Sequence, residues 1–355
     1  MPIERKRGMD MTKKHVTIYD VAREAGVSPA TVSRILTGTA RVRSVKRERV
    51  LEVIRQMNFQ PNAFARALSE NRNRMIGIMV AHTGNSYYNS LFAACQSEAY
   101  RRGYGSMVMN TYSRPQYEES VMMRMQEMRP EAVIIAGGRV DLEVPDPAFM
   151  DLLRATRESV RLVVGSRSPM PGIPGVAVDH SMSMEKALRY LADLGHRKIG
   201  YVYAGSPYYG TMERLRTFRK VMAELGLEVR EDWLVEGADY GMESGIESIR
   251  AMMSGSDRPT AVLGMNDMVS AGILQGLQGM GLRVPEDVSV MGFDDTYISG
   301  ITTPKLTSVG YNYEAYASLL LDACLFEGDM EAYPENQRIP VFITERNSCA
   351  APADE

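Results

Sequence analysis

Val16-Thr-Ile-Tyr-Asp-Val-Ala-Arg-Glu-Ala-Gly-Val-Ser-Pro-Ala-Thr-Val-Ser-Arg-Ile-Leu-Thr-Gly38 contains two helix starts in close succession. Thr17-Ile18-Tyr19-Asp20 has the form of a capping box: Thr17 accepts from the backbone three residues on, and Asp20 favours the positive helix start. Ile18, Val21, Ala22 and Ala25 recur at helical spacing, and Gly26 can end the helix in a left-handed conformation. Ser28-Pro29 then supplies a second N-cap and a proline at the first helical position, where its missing N–H costs nothing. Two short helices about a glycine-containing turn make a helix-turn-helix, whose second helix can enter a DNA major groove N-terminus first. A third helix, about 45–57, completes a small core with Val50, Val53, Ile54 and Met57.

Charge follows the same division. Sixteen Lys and Arg stand against seven Asp and Glu from Met1 to Arg74, while the remaining residues carry 25 against 37, so a basic head precedes an acidic body. This is the polarity expected when one end meets phosphate and the other does not; a solvated basic tail is the plainer reading. At 355 residues, 45% hydrophobic and 24% charged, the chain has room for two or three ordinary globular domains. No apolar run is long enough to span a bilayer, and no apolar segment follows the basic start MPIERKRGMDMTKKH, so the expected location is the cytoplasm. Cys95, Cys324 and Cys349 fit neither a disulfide framework nor a metal site and are read as plain thiols.

The opening string strongly resembles the DNA-binding head of the lac-repressor/gal-repressor family, and Phe59-Gln-Pro-Asn-Ala-Phe-Ala-Arg-Ala-Leu68 resembles that family's hinge. Pro29, Ala30 and Arg34 begin the recognition helix or face outward from it, with Arg34 suited to a bidentate contact on guanine. Thr17, Ser28, Thr31, Ser33 and Asn62 are assigned to the DNA backbone, where contacts set register without reading sequence. A solvated helix face is the alternative for each, and it weighs most for Arg41, Arg43, Lys46 and Arg47. The resemblance further implies that the hinge turns helical only on operator DNA and that Ala65 and Leu68 meet the minor groove, Leu68 as an apolar wedge. Arg43 departs from the family's usual serine before the third helix, which leaves the start of that helix open.

From Met75 onward the pattern changes to apolar runs alternating with amphipathic segments. Ile76–Val80, Ser106–Met109, Ala132–Ala136 and Leu162–Val164 form one set of buried parallel strands; Gly175–Val178, Ile199–Tyr203, Ala261–Gly264 and Val288–Gly292 form a second. Two α/β units imply two lobes with a cleft, and ligands of such sheets collect at the carboxyl ends of strands. Leu194-Gly-His-Arg-Lys-Ile199, Glu213-Arg-Leu-Arg-Thr-Phe218, Asn266-Asp267, Val284-Pro-Glu-Asp-Val-Ser-Val290 and Pro304-Lys-Leu-Thr307 resemble the same family's periplasmic-binding-protein-like core, from about Met75 to Ser348. Thr217 and Asn85-Ser-Tyr-Tyr88 depart from its common residues.

The expected architecture is therefore an all-α helix-turn-helix head followed by an α/β core of two doubly wound parallel-sheet lobes. A disordered basic tail covers 1–15, the head 16–60, the hinge and linker 61–74 and the core 75–349. Lobe 1 takes about 75–179 and 308–336; lobe 2 takes 180–307 and 337–349.

By resemblance, Arg214, Asn266 and Asp294 hold a small-molecule effector. Their fork, amide and carboxylate suit a polyol, and Tyr87, Tyr88 or Tyr240 can cover a sugar's apolar face. Ser166, just after a strand, joins them. His196 is read as structural, because no nucleophile or metal motif accompanies it. The chain is expected to be a sequence-specific transcription regulator, not an enzyme, and to need no cofactor. It is expected to act as a homodimer on pseudo-palindromic double-stranded operator DNA, to have no membrane partner and to answer to a carbohydrate. A purine effector in the same regulator class is the main rival, and a sugar transport protein a weaker one.

Overall fold

The computed structural model describes residues 16–36, 44–59, 74–205 and 207–353. The chain divides into a head, ending at Asn73, and a core that starts at Arg74. The expected tail over 1–15, hinge positions Asn62, Ala65 and Leu68, and Arg41 and Arg43 lie outside the described residues.

In the head, α1 (Ile18–Ala25) starts with both halves of the expected capping box and stops at Gly26, whose φ of 66° is left-handed. Helix α2 spans Pro29–Leu36 and α3 spans Ser44–Gln56, one residue earlier than the sequence indicates. Val21, Ala25, Val32, Ile35, Val50 and Val53 share one buried cluster, to which Phe59, read as the first hinge residue, adds its ring. Three short helices, each marginal alone, hold together through this cluster.

The core is built on two six-stranded sheets. The first joins β1 (Met75–Val80), β2 (Gly105–Asn110), β3 (Ala132–Ala136), β4 (Arg161–Val164), β5 (Gly175–Val178) and β11 (Asn336–Ile339) in the order β11-β5-β4-β3-β1-β2. All of its pairings are parallel. Between its strands run α4 (Ser86–Arg101), α5 (Pro115–Met128) and α6 (Pro147–Arg157). Period-two alternation explains why β1 reads as continuously apolar: Ile76, Ile78 and Val80 pack with Leu91, Cys95 and Ala99 of α4, while Met79 packs with Met122 and Met125 of α5.

The second sheet joins β6 (Ile199–Ala204), β7 (Leu234–Gly237), β8 (Ala261–Gly264), β9 (Ser289–Asp294), β10 (Thr307–Tyr311) and β12 (Val341–Thr344) in the order β12-β10-β9-β8-β6-β7. Only the β10–β12 pairing is antiparallel. Its helices include α7 (His180–Asp193), α8 (Tyr209–Glu224), α9 (Met242–Met252), α10 (Asp267–Gly279) and α11 (Tyr297–Ile301); α12 (Tyr313–Cys324) belongs to the first lobe, where Tyr316 bonds Gly165 and Val176. Helices α9 and α10 meet at glycines: a Cβ on Gly272 would stand 1.9 Å from the Met242 carbonyl oxygen and one on Gly245 2.1 Å from that of Val269.

Sheet membership moves two of the expected lobe boundaries. Thr307–Tyr311 completes the second sheet and Asn336–Ile339 the first, so the chain changes lobe near 312 and 340 instead of 307/308 and 336/337. Gly175–Val178, grouped above with the second set of strands, pairs with β4 and β11 of the first. Among the described residues, no helix is long and apolar enough to cross a membrane.

Candidate functional site

On α2, Ala30 and Arg34 are exposed and lie one turn apart, on the side of the helix opposite the buried Val32 and Ile35; Pro29 is half-buried at its start. The expected base-reading residues thus share an outward face. Ser28 has its hydroxyl oxygen on the Thr31 N–H at 3.2 Å and within 2.9 Å of the Thr31 hydroxyl. Thr17 closes its own cap through Asp20. These expected backbone contacts therefore begin as helix caps, and Ser33 is half-buried.

The core holds a cavity of about 550 Å³ between its sheets. In each sheet the strand order reverses, at β1/β3 and at β6/β8, and the residues just past those carboxyl ends form the walls, as doubly wound sheets dictate. Tyr87, Tyr88, Ser166, Arg214, Tyr240, Asn266 and Asp294, named from the sequence, all line this cavity.

At the second-lobe end, Asp294 closes β9 with a left-handed φ of 92° that turns it into the cleft. Tyr311 donates to its Oδ1 at 3.2 Å, Tyr313 donates to its carbonyl at 3.1 Å, and Arg214 Nη2 stands 3.9 Å away. Burial pushes its carboxyl above the usual range, against the pull of Arg214 and Tyr311. Arg214 lies over the Phe293 ring at 4.3 Å and donates to the Met265 carbonyl at 2.8 Å.

Asn266 is a helix cap as well as a cleft residue. Its Oδ1 caps α10, accepting from Val269 N–H at 2.7 Å, and its amide donates to the Tyr240 carbonyl at 3.2 Å. Beneath, fully buried Asp267 accepts from the N–H and hydroxyl of Thr296 and from Ser308; burial and the nearby Asp294 carboxylate push its carboxyl up to about 8.

The first lobe contributes a second polar group, missed from the sequence, centred on Asp141. After β3, Gly137 and Gly138 have φ values of 82° and 79°, and this glycine pair was the signal available. They lead into a short 3-10 turn, Gly138–Asp141, that a buried ion pair holds: Glu118 on α5 accepts from the Arg139 N–H at 3.0 Å and from its Nε. Burial pushes the Asp141 carboxyl up to about 6, against a hydrogen bond from Ser166 and the charge of Arg167. His180, where the chain crosses to the second lobe, is driven down to about 3 by burial and then by Arg214, so its imidazole is neutral, and its Nδ1 has no partner. Tyr208, Tyr209, Tyr311 and Tyr316 also line the cleft. His196, as read, is structural: Nδ1 pairs with Thr260 at 2.9 Å and Nε2 with Ser289 at 3.1 Å and the Ala350 carbonyl at 2.9 Å.

The lobes touch across the cleft mouth. Glu143 donates its N–H to Pro207 and accepts from Arg216 at 2.9 Å, and Arg167 lies 4.3 Å above the Tyr209 ring. Residues of both lobes line the cavity, so a ligand bound there reaches both. A helix-turn-helix followed by such a two-lobed cleft defines a ligand-responsive DNA-binding regulator.

Comparison with known proteins places the chain more closely. Residues 17–62 match the lacI family of bacterial regulatory proteins, and residues 188–349 match the periplasmic binding protein-like domain. Catabolite control protein A of Priestia megaterium is 32% identical over 83% of this chain and 87% of its own length. The HTH-type transcriptional repressor PurR of Vibrio cholerae is 31% identical over 82% and 85%. The lac repressor dimer bound to operator and the anti-inducer ONPF superposes with a TM-score of 0.83 at 25% identity, covering 95% of this chain and all of that one. The chain belongs to the lacI family of bacterial transcription regulators, and its relatives are regulators, not enzymes.

Proposed function

We propose that the protein is a cytoplasmic, homodimeric repressor whose affinity for a pseudo-palindromic operator is changed by a small sugar bound between the lobes. The observation that carries the sugar reading is the floor of the cleft, where Arg214 and Asp294 face a cavity walled by tyrosines. A carboxylate accepts from two neighbouring hydroxyls, a guanidinium donates to a third oxygen, and an aromatic face covers the apolar side of a pyranose. Arg34 and Ala30 read base edges, with the two subunits meeting two half-sites.

A purine effector is the second reading. PurR is among the relatives, and tyrosines stack a base as well as a sugar ring. A thermal-shift screen of the full chain against sugars, sugar phosphates and purines separates the two, since a ligand that binds only the folded state raises its stability. The proposal expects a sugar hit that Asp294→Ala abolishes; a purine hit with no sugar response overturns the sugar assignment and leaves the regulator intact.

A further inference from the structure

We infer that the effector is a neutral disaccharide that spans the cleft, one ring on the Arg214–Asp294 floor and the other on Asp141 and Ser166. This rests on the sugar reading above and adds its length and charge.

Volume is the first argument. A hexose displaces roughly six waters, about 180 Å³ at about 30 Å³ each. The 550 Å³ cleft therefore takes two such rings and leaves more than half its space empty around one. A cleft of this size lies in the range that drug-sized ligands fill.

The polar groups come in two sets. Arg214 and Asp294 project from α8 and β9 of the second lobe, while Asp141 and Ser166 follow β3 and β4 of the first. Each set pairs a carboxylate with further hydrogen-bonding groups, the combination that fixes sugar hydroxyls. Tyr87, Tyr88 and Tyr240 line the same space and offer apolar surface along it. The two sets stand on different lobes, so two linked rings can engage both, one ring on each.

Charge sets the third limit. Arg214 donates to the Met265 carbonyl and stands 3.9 Å from Asp294, and Arg167 donates to the Leu142 and Glu143 carbonyls and lies over the Tyr209 ring. His180 is neutral, and Asp141, Asp239 and Asp294 line the same walls. A phosphate placed there meets three carboxylates against the two guanidiniums of Arg167 and Arg214, so a phosphorylated sugar is disfavoured.

Calorimetry on the full chain tests this with neutral disaccharides of several linkages, their constituent monosaccharides, the corresponding sugar phosphates and purines. At least one neutral disaccharide is expected to bind about tenfold or more tighter than its constituents. Asp141→Asn and Asp294→Asn should each weaken it by about tenfold, while a monosaccharide responds to only one of the two. Ser166→Ala, a smaller change on the same lobe as Asp141, repeats the first-lobe test if Asp141→Asn fails to fold. A monosaccharide or sugar phosphate binding as tightly as any disaccharide, or a disaccharide indifferent to both first-lobe variants, overturns the inference and leaves the sugar reading standing. Binding by purines alone, or by no sugar at millimolar concentration, removes both.

Discussion

Glu118→Gln probes the cleft indirectly, because Glu118 does not itself line the cavity yet holds the turn that delivers Asp141. Its carboxylate is fully buried and accepts both the Arg139 backbone N–H and Nε. Removing one partner of a buried pair costs about 3–5 kcal/mol when the other is left alone. Arg139 is not left alone: Glu119 at 3.3 Å, Asp146 at 3.5 Å, the Pro115 carbonyl at 3.3 Å and the Phe149 ring at 4.7 Å remain. Glutamine also keeps one acceptor oxygen. The loss then approaches that of one charge-assisted hydrogen bond, about 2 kcal/mol, and the core should melt about 4 °C lower. Since Gly138 in its left-handed conformation rests directly on the Glu118 carboxylate, the turn shifts with it, and effector affinity should fall by roughly tenfold. Scanning calorimetry and isothermal titration read the two effects. A variant that melts within about 1 °C of the parent and binds effector unchanged refutes the assigned role of the pair.

Two further outcomes follow from particular side chains. Arg34→Ala should lower affinity for the selected operator by about 1–3 kcal/mol and relax preference at a single base position, measured against single-base operator variants; an equal loss on every sequence would make Arg34 a backbone contact. His180 binds fewer protons folded than unfolded between about pH 3 and its unfolded value near 6.5, so its contribution to stability is complete above about 6.5 and is lost as pH falls. Denaturation midpoints should show a slope of at most about 1.4 kcal/mol per pH unit in that window, which His180→Gln removes; an unchanged slope in the variant would place the acid sensitivity elsewhere.

The sequence was most legible where one physical pattern dominated. Strands buried on both faces, such as Ile76–Val80 and Ala132–Ala136, read as unbroken apolar runs, and Thr17, Gly26 and Ser28 punctuate the head as local chemistry requires. Asn336–Ile339 carries three polar residues at a sheet edge and gave no such run; Leu234–Gly237 is another edge strand with a charged residue in it. An apolar run does not name its partners: by pattern Gly175–Val178 groups with the second strand set, while the lobe range 75–179 places it in the first, where it pairs.

The cleft divides similarly. All seven named residues line it, since strand ends mark such sites, yet Asp141 and His180 sit on a 3-10 turn and a lobe crossing that periodicity does not show. Asn266 lines the cleft, and its role as a helix N-cap depends on the local turn at the start of α10.

The central claim is that a ligand in the cleft changes how the head binds DNA. Fluorescence anisotropy with an operator selected from random duplexes, titrated with and without the saturating sugar, measures it directly. The account predicts a shift in operator affinity of roughly 5–150-fold, matched by the same factor in sugar affinity when operator is present. Equal operator affinities with the cleft empty and filled would contradict it.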